Sequence, residues 1–424
     1  MMGNQLLRQH PERGVIGWPA VTLIGAAFAI TMLGTTLPTP LYPLYEKAFD
    51  FGELVTTVVF AAYAVGVMVA LLLFGHWSDQ VGRRPMLRAG LALSGLSAIV
   101  FLLAGALGWL FVGRVLSGLS AGIFTGTATA MIMDLAPGHS KARASLIAAA
   151  VNMGGLGAGP LLAGILAQYA PLPLTLCFIV HLVLVIVAVL AVEAVTEPVR
   201  RASTLRLRPQ KINVPIEIRG VFTRAVIAGF AGFAVLGLFT AVSPAFLGTV
   251  LHNTNHALTG AVVLSVFIAS TIGQSLSSVI GEQRALMIGC AGLIVGMILV
   301  GTSLLVRSLA VLIVGAVIAG LGQGMSFRAG LGSVLGVSPP DKRGEITSSY
   351  FMVLFVGISI PVVGEGAAAK AFGLIASGMV FAALVATLAA VALLLLVRSG
   401  RNQDRCDEPP AEATTSEAVT GTPP

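Results

Sequence analysis

Twelve runs of apolar residues, each long enough to cross a lipid bilayer, leave this chain of 424 residues very few folds. A helix needs about 20 such residues to span the hydrocarbon. The runs fall at roughly 17–44, 53–74, 86–106, 109–131, 144–168, 173–195, 225–250, 257–280, 285–306, 309–335, 346–367 and 372–397. Lipid offers no water to backbone N–H and C=O groups, so each run must satisfy them within itself, as a helix. Only 10% of the residues are charged, against about 25% in a soluble domain. The expected class is an all-α membrane protein with twelve transmembrane helices, and its first partner is the lipid bilayer.

Lysine and arginine placement gives the orientation. Counting alternate faces from the start of the chain, 20 of the 25 lie on one face. Lys47, Arg307 and Lys370 lie on the other, and Arg114 and Arg328 fall inside runs. This asymmetry predicts that both termini are cytoplasmic; the expected membrane is the plasma membrane, in a bacterium the inner one. It also accounts for the net charge of +7 without nucleic acid, because no exposed soluble domain carries that charge. Residues 1–16 read as a polar cytoplasmic segment, and the first apolar run is too long for a cleaved signal peptide. Cys177, Cys290 and Cys406 suggest no disulfide framework, and none stands with histidine at metal-ligand spacing, so no metal or cofactor is implied.

The two halves echo each other. Gly113-Arg114-Val115-Leu116-Ser117-Gly118-Leu119-Ser120-Ala121-Gly122 matches Gly315-Ala316-Val317-Ile318-Ala319-Gly320-Leu321-Gly322-Gln323-Gly324 at five of ten positions, offset by 202. Phe28-Ala29 with Pro38 echoes Phe233-Ala234 with Pro244, and Arg143 with Pro160 echoes Arg343 with Pro361. An offset near 200 equals six helices and a linker, which makes the halves parallel repeats about an axis along the membrane normal. The expected organisation is a six-helix bundle at 17–195, a basic cytoplasmic linker at 196–224, a second bundle at 225–397, and a tail at 398–424. The tail has too little apolar content to pack and is expected to be disordered.

Between the second and third runs stands Gly75-His76-Trp77-Ser78-Asp79-Gln80-Val81-Gly82-Arg83-Arg84-Pro85. Gly75 admits a neighbouring helix, Gly82 permits a sharp turn, and Pro85 suits the first turn of a helix. Asp79 lies one helical turn before Arg83. The pattern G-x-x-x-D-x-x-G-R-R resembles the loop 2–3 signature of the major facilitator superfamily (MFS) of secondary transporters. That resemblance implies two six-helix bundles with a substrate site between them, and it is most similar to the twelve-span drug/metabolite:proton antiporter group. In the family an acid at the end of helix 4, here Asp134, pairs with the first arginine of the loop, here Arg83. Asp79 would then face the start of helix 11, near Glu345 to Ser348, and the two contacts would latch the cytoplasmic gate in the outward-open state.

In helix 4, Arg114, Gly118, Gly122 and Gly126 recur every four residues and share a face. The glycines allow tight helix packing. Arg114 has two readings: a proton-coupling arginine, as the resemblance implies, or a side chain snorkelling to the outer interface. In helix 5, Gly155, Gly159, Pro160 and Gly164 resemble the superfamily's antiporter motif, with Ala163 replacing one glycine. A proline kink with close helix packing could seal the cytoplasmic side or act as a hinge. Thr35 to Tyr45 is rich in proline and tyrosine, and reads equally as an interfacial belt or an outer gate.

No Asp or Glu is found in the interior of any run, and Glu365 is placed near an end. Protons remain a coupling-ion candidate through Asp79, Asp134, Arg114 and His181, the last read more readily as a structural histidine. Polar or aromatic mid-helix residues are the cavity candidates: Thr31 and Thr35, Asn152, Phe239 and Thr240, Gln274, Gln323 and Phe327. Arg328 reads as an anion ligand or as an arm to cytoplasmic phosphates. The functional expectation is a monomeric secondary active transporter that exports a small molecule, drug-like or metabolic, by alternating access. The alternatives are an uptake permease for a sugar or organic acid, and a non-transporting membrane receptor or scaffold. An enzyme is not expected, since no catalytic grouping is visible and no G-x-x-x-x-G-K-[ST] loop is present.

Overall fold

A computed structural model describes residues 14–75, 77–138, 140–199, 209–210 and 212–407. Twelve helices among the described residues are long and apolar enough to span a membrane. They are α1 (Trp18–Phe49), α2 (Glu53–Phe74), α3 (Arg83–Leu102), α4 (Leu107–Leu135), α5 (Lys141–Tyr169) and α6 (Leu176–Ala194). The second half holds α7 (Ile216–Val250), α8 (His256–Ile280), α9 (Glu282–Val306), α10 (Leu309–Gly336), α11 (Pro340–Phe372) and α12 (Leu374–Ser399).

Helix-to-helix packing repeats with a shift of six. In the first half α1 packs on α4, α5 and α6, α2 on α4, and α3 on α4 and α6. In the second, α7 packs on α10, α11 and α12, α8 on α10, and α9 on α10 and α12. The sequence echo lies at the closest of these contacts. Side chains added at Gly118 and Gly122 would strike Tyr63, Val67 and Ala70 of α2; added at Gly320 and Gly324, they would strike Val266, Ala269 and Ser270 of α8. The outer helices turn Val183, Ile186 and Leu190 of α6 and Leu384 and Leu394 of α12 outward, an apolar rim suited to lipid.

Proline interrupts the central helix of each bundle at matching places. α1 is helical over Trp18–Thr36, makes a single tight turn at Thr39–Leu41, and resumes at Tyr42–Phe49. α7 widens into π-helical turns at Leu238–Val242 and Phe246–Val250 on either side of Pro244. A missing N–H at Pro38 and Pro244 removes one ladder bond in each helix.

Two boundaries differ from the hydropathy reading. Helical structure in the second half begins at Ile216, nine residues before 225, because Arg219 and Arg224 continue the helix out of the hydrocarbon. The last helix runs to Asp407, so residues 398–407 of the expected disordered tail are helical, ahead of Pro409 and Pro410. The remainder of that tail, most of the 1–16 segment and the linker residues 200–208 lie outside the described residues.

Gly118→Val places two methyl groups against the Tyr63 carbonyl and is expected to cost about 1–3 kcal/mol by overpacking. Gly126→Ala, on the same face but beside open space, is expected to leave stability unchanged. Thermal unfolding of the purified variants in detergent checks both.

Candidate functional site

Between the bundles, on the face that carries the basic loops, lies a cavity of about 490 Å³. Its walls come from both halves: Thr125, Thr127 and Ala130 of α4, Ser145 and Asn152 of α5, Gln274 of α8, Phe327 and Arg328 of α10, and Thr347 and Phe351 of α11. Of the eight residues expected in a cavity, Asn152, Gln274 and Phe327 line it. The other five are packed elsewhere. Thr31, Thr35 and Thr240 are buried and donate their hydroxyls to backbone carbonyls of their own helices. Phe239 lines a small apolar void near Leu312. Gln323 is buried against α8, where it accepts from the Ser270 hydroxyl at 2.5 Å. Hydroxyl groups on helices find local acceptors readily, so polarity alone did not mark the cavity.

On the opposite face the bundles touch through glycines, against backbone at Gly164 and Gly260 and against side chains at Gly157 and Gly366. A side chain added at Gly157 would strike Leu264 and Phe267; at Gly260, Pro160 and Leu161; at Gly164, His256; at Gly366, Thr57. His256 N also donates to Gln168 Oε1 at 3.0 Å. Gly155 and Gly159 face the other way, onto Ala29 and Leu33 of α1. The glycines of α5 thus divide between its own bundle and the seam. In this structure the seam they seal lies on the face away from the basic loops.

A small void within that seam is lined by Tyr42, Glu46, Glu53, Thr57, Pro244 and Glu365, among others. Glu365 is buried and accepts from the Ser377 hydroxyl at 3.0 Å, and the Thr56 hydroxyl donates to Glu46. Placing Glu365 near a helix end therefore undervalued it. α11 is helical for seven residues beyond it, and the next residue, Gly366, packs on Thr57 in the contact between bundles.

Arg114 does not snorkel. It is 1% exposed, donates to Thr35 O at 2.5 Å and Tyr42 Oη at 3.0 Å, and stacks among the rings of Tyr42, Phe60 and Tyr63. The Thr35 carbonyl is in the last turn before the proline break, where helical donors run out. Tyr42 and Tyr45 are likewise buried rather than forming an interfacial belt. His181 is buried with Nε2 3.0 Å from Ser94 Oγ, and its Nδ1 has no partner among the described residues. Gly34 leaves room for the ring.

The loop between α2 and α3 contains a short helical turn, Trp77–Val81, and bends at Gly82 with φ of 108°. Arg83 pairs with Asp79 at 2.6 Å and with Asp134 at 3.1 Å. Its backbone N–H and that of Arg84 donate to the two oxygens of Glu197 at 3.0 and 2.8 Å. Arg84 and Arg88 reach Glu193. Gly75 and Gly344 flank the side chain of Gln210, whose N–H donates to Leu72 O at 2.7 Å. Glu197 and Gln210 were not foreseen. Glu197 sits just after the end of α6, and an acid there opposite a G-R-R turn is the one sequence signal that could have found it. Gln210 carries none.

The profile described as Major Facilitator Superfamily matches residues 24–360. Quinolone resistance protein NorA of Staphylococcus aureus is 26% identical over 220 residues, 50% of this chain and 56% of that protein. Multidrug resistance protein 1 of Bacillus subtilis is 25% identical over 193 residues, 45% of this chain and 49% of that one. The matches span about half the length of these relatives. Among solved structures, an inward-facing, unoccupied bacterial homolog of the human lysosomal transporter Spinster superposes with a TM-score of 0.69 at 15% identity, covering 89% of this chain and 97% of that one. The human organic anion transporter MFSD10 (TETRAN) superposes with a TM-score of 0.65 at 16% identity, covering 89% and 99%.

Glu197→Ala removes two carboxylate acceptors from the first N–H groups of α3. Hydrogen exchange in peptides covering 78–86 is expected to speed up by about tenfold or more, the equivalent of ~1.4 kcal/mol, while α9 peptides stay unchanged.

Proposed function

The chain belongs to the Major Facilitator Superfamily and is a membrane transporter, not an enzyme; from that premise we propose that it exports a small molecule by alternating access, with the basic-loop face in the cytoplasm. The observation that carries this reading is the asymmetry between the bundles: an open cavity on one face and close glycine contacts on the other. A substrate in the cavity meets only one side of the membrane, and rocking the bundles exchanges the open face. Support for export over uptake comes from the glycine–proline series of α5 and from the resistance proteins to which the chain is similar.

The α2–α3 loop fits a latch for the other state. Here Asp79 pairs within its own loop, and Gln210 occupies the gap between Gly75 and Gly344. Closing the cavity would bring Asp79 toward the free N–H groups at the start of α11, while the Arg83–Asp134 pair holds the loop to α4. Coupling to protons draws support from the far seam. Glu46, Glu53 and Glu365 meet there from both bundles, with no lysine, arginine or histidine in the lining. Shutting the seam crowds three carboxyl groups, so a proton taken up from the outer side favours return to the state seen here.

The test is efflux of a chemically varied panel from pump-deficient bacteria that express the protein. Retention of at least one compound is expected to fall, and a protonophore to restore it. Unchanged retention across the panel, with the protein present in the membrane, rejects export. Glu365→Gln is expected to flatten the dependence of efflux on external pH. An unaltered pH profile would remove the seam carboxylates from coupling.

A further inference from the structure

We propose that the cavity binds an amphipathic organic anion, a carboxylate or sulfonate on an aromatic body, with Arg328 as its charge partner. The inference rests on the transporter reading and names the substrate class of the same site. Arg328 is half-buried in α10, eight residues from the end at Gly336, which puts it roughly 12 Å along the helix from that end. An arginine that only sets topology belongs in the loop. One this deep requires a partner or a wet cavity. Arg328 has no carboxylate partner among the described residues, and Arg343, the second guanidinium on the cavity wall, has none either.

The remaining lining fits the same ligand. It contains no Asp, Glu or Lys, so the described wall is positive without internal neutralisation. Phe327 precedes Arg328 in sequence, and its ring lies 5.8 Å from that of Phe351, giving an apolar aromatic wall beside the guanidinium. Asn152, across the cavity on α5, adds an uncharged amide to the wall. A volume of about 490 Å³ lies in the range of drug-sized sites. The planar guanidinium pairs bidentately with a carboxylate or sulfonate, and this is the feature that separates an anion from a neutral molecule of the same shape. A cation would meet two uncompensated positive charges.

The experiment is equilibrium binding to the purified full-length protein in nanodiscs of neutral lipid, with no ion gradient. The probes are naphthoate, naphthamide and naphthylmethylammonium. Naphthoate is expected to bind about tenfold or more tighter than either of the others. Arg328→Gln is expected to cut that preference several-fold, Arg343 supplying what remains, while Arg328→Lys keeps more of it. Equal or tighter binding of the ammonium probe overturns the proposal, as does a preference that Arg328→Gln leaves undiminished. Should Arg328→Gln fail to fold, the ranking of the three probes on the unaltered protein decides alone. Displacement of naphthoate by equimolar dihexanoyl phosphatidylglycerol would assign the guanidinium to a lipid phosphate and also overturn it. Binding needs no transport, so failure of the efflux assay and failure of anion preference are separate results.

Discussion

Helices already surrounded by lipid gain little from burying apolar side chains against one another. Their association rests on dispersion contact, which is greatest where backbones approach most closely. In this protein that condition is met at glycine. Gly118 and Gly122 lay α4 on α2, Gly320 and Gly324 lay α10 on α8, and Gly155 and Gly159 lay α5 on α1. The same kind of contact, at Gly157, Gly164, Gly260 and Gly366, is what shuts one face of the seam. Within a bundle such contacts run along whole helices and make a rigid body. Between bundles they occupy one half only, and the other half is the cavity. A seam of small residues with few hydrogen bonds across it can part and re-form without leaving buried polar groups stranded, which suits an interface that must open.

The architecture was legible because its causes are periodic. Apolar runs of fixed length report bilayer thickness, and glycine at four-residue spacing reports a helix face. The offset near 200 pointed to two related halves, and the six-shifted packing of α1–α6 on α7–α12 is how that repeat is built. The site was less legible, because contacts between distant segments leave no period. Thr31 and Asn152 look alike in sequence, both polar residues in apolar helices, yet one serves its own helix and the other lines the cavity. Arg114 was recognised as costly. That its partners would be a carbonyl freed by a proline break and three aromatic rings followed only from the fold. Glu365 was dismissed because a carboxylate near a helix end is ordinarily solvated. Here it is buried, with Ser377 of α12 donating to it.

Charge is sorted along the seam, and α11 carries both signs. Arg343 lies at the open cavity, and Glu365, 22 residues on and roughly 33 Å along the helix, lies in the closed far void. Pro361 stands one turn before Glu365 and frees the carbonyl of Gly357, so α11 is weakest next to its carboxylate. A tilt of this one helix changes the cavity wall and the carboxyl cluster together. Neutralising the anions of the far void favours its closure. An anion in the cavity would neutralise Arg328 on α10 and Arg343 on α11, both in the second bundle. In the proposed cycle the proton acts at the far void and the anion at the cavity, and α11, which reaches both, is the helix through which exchange transport would couple them.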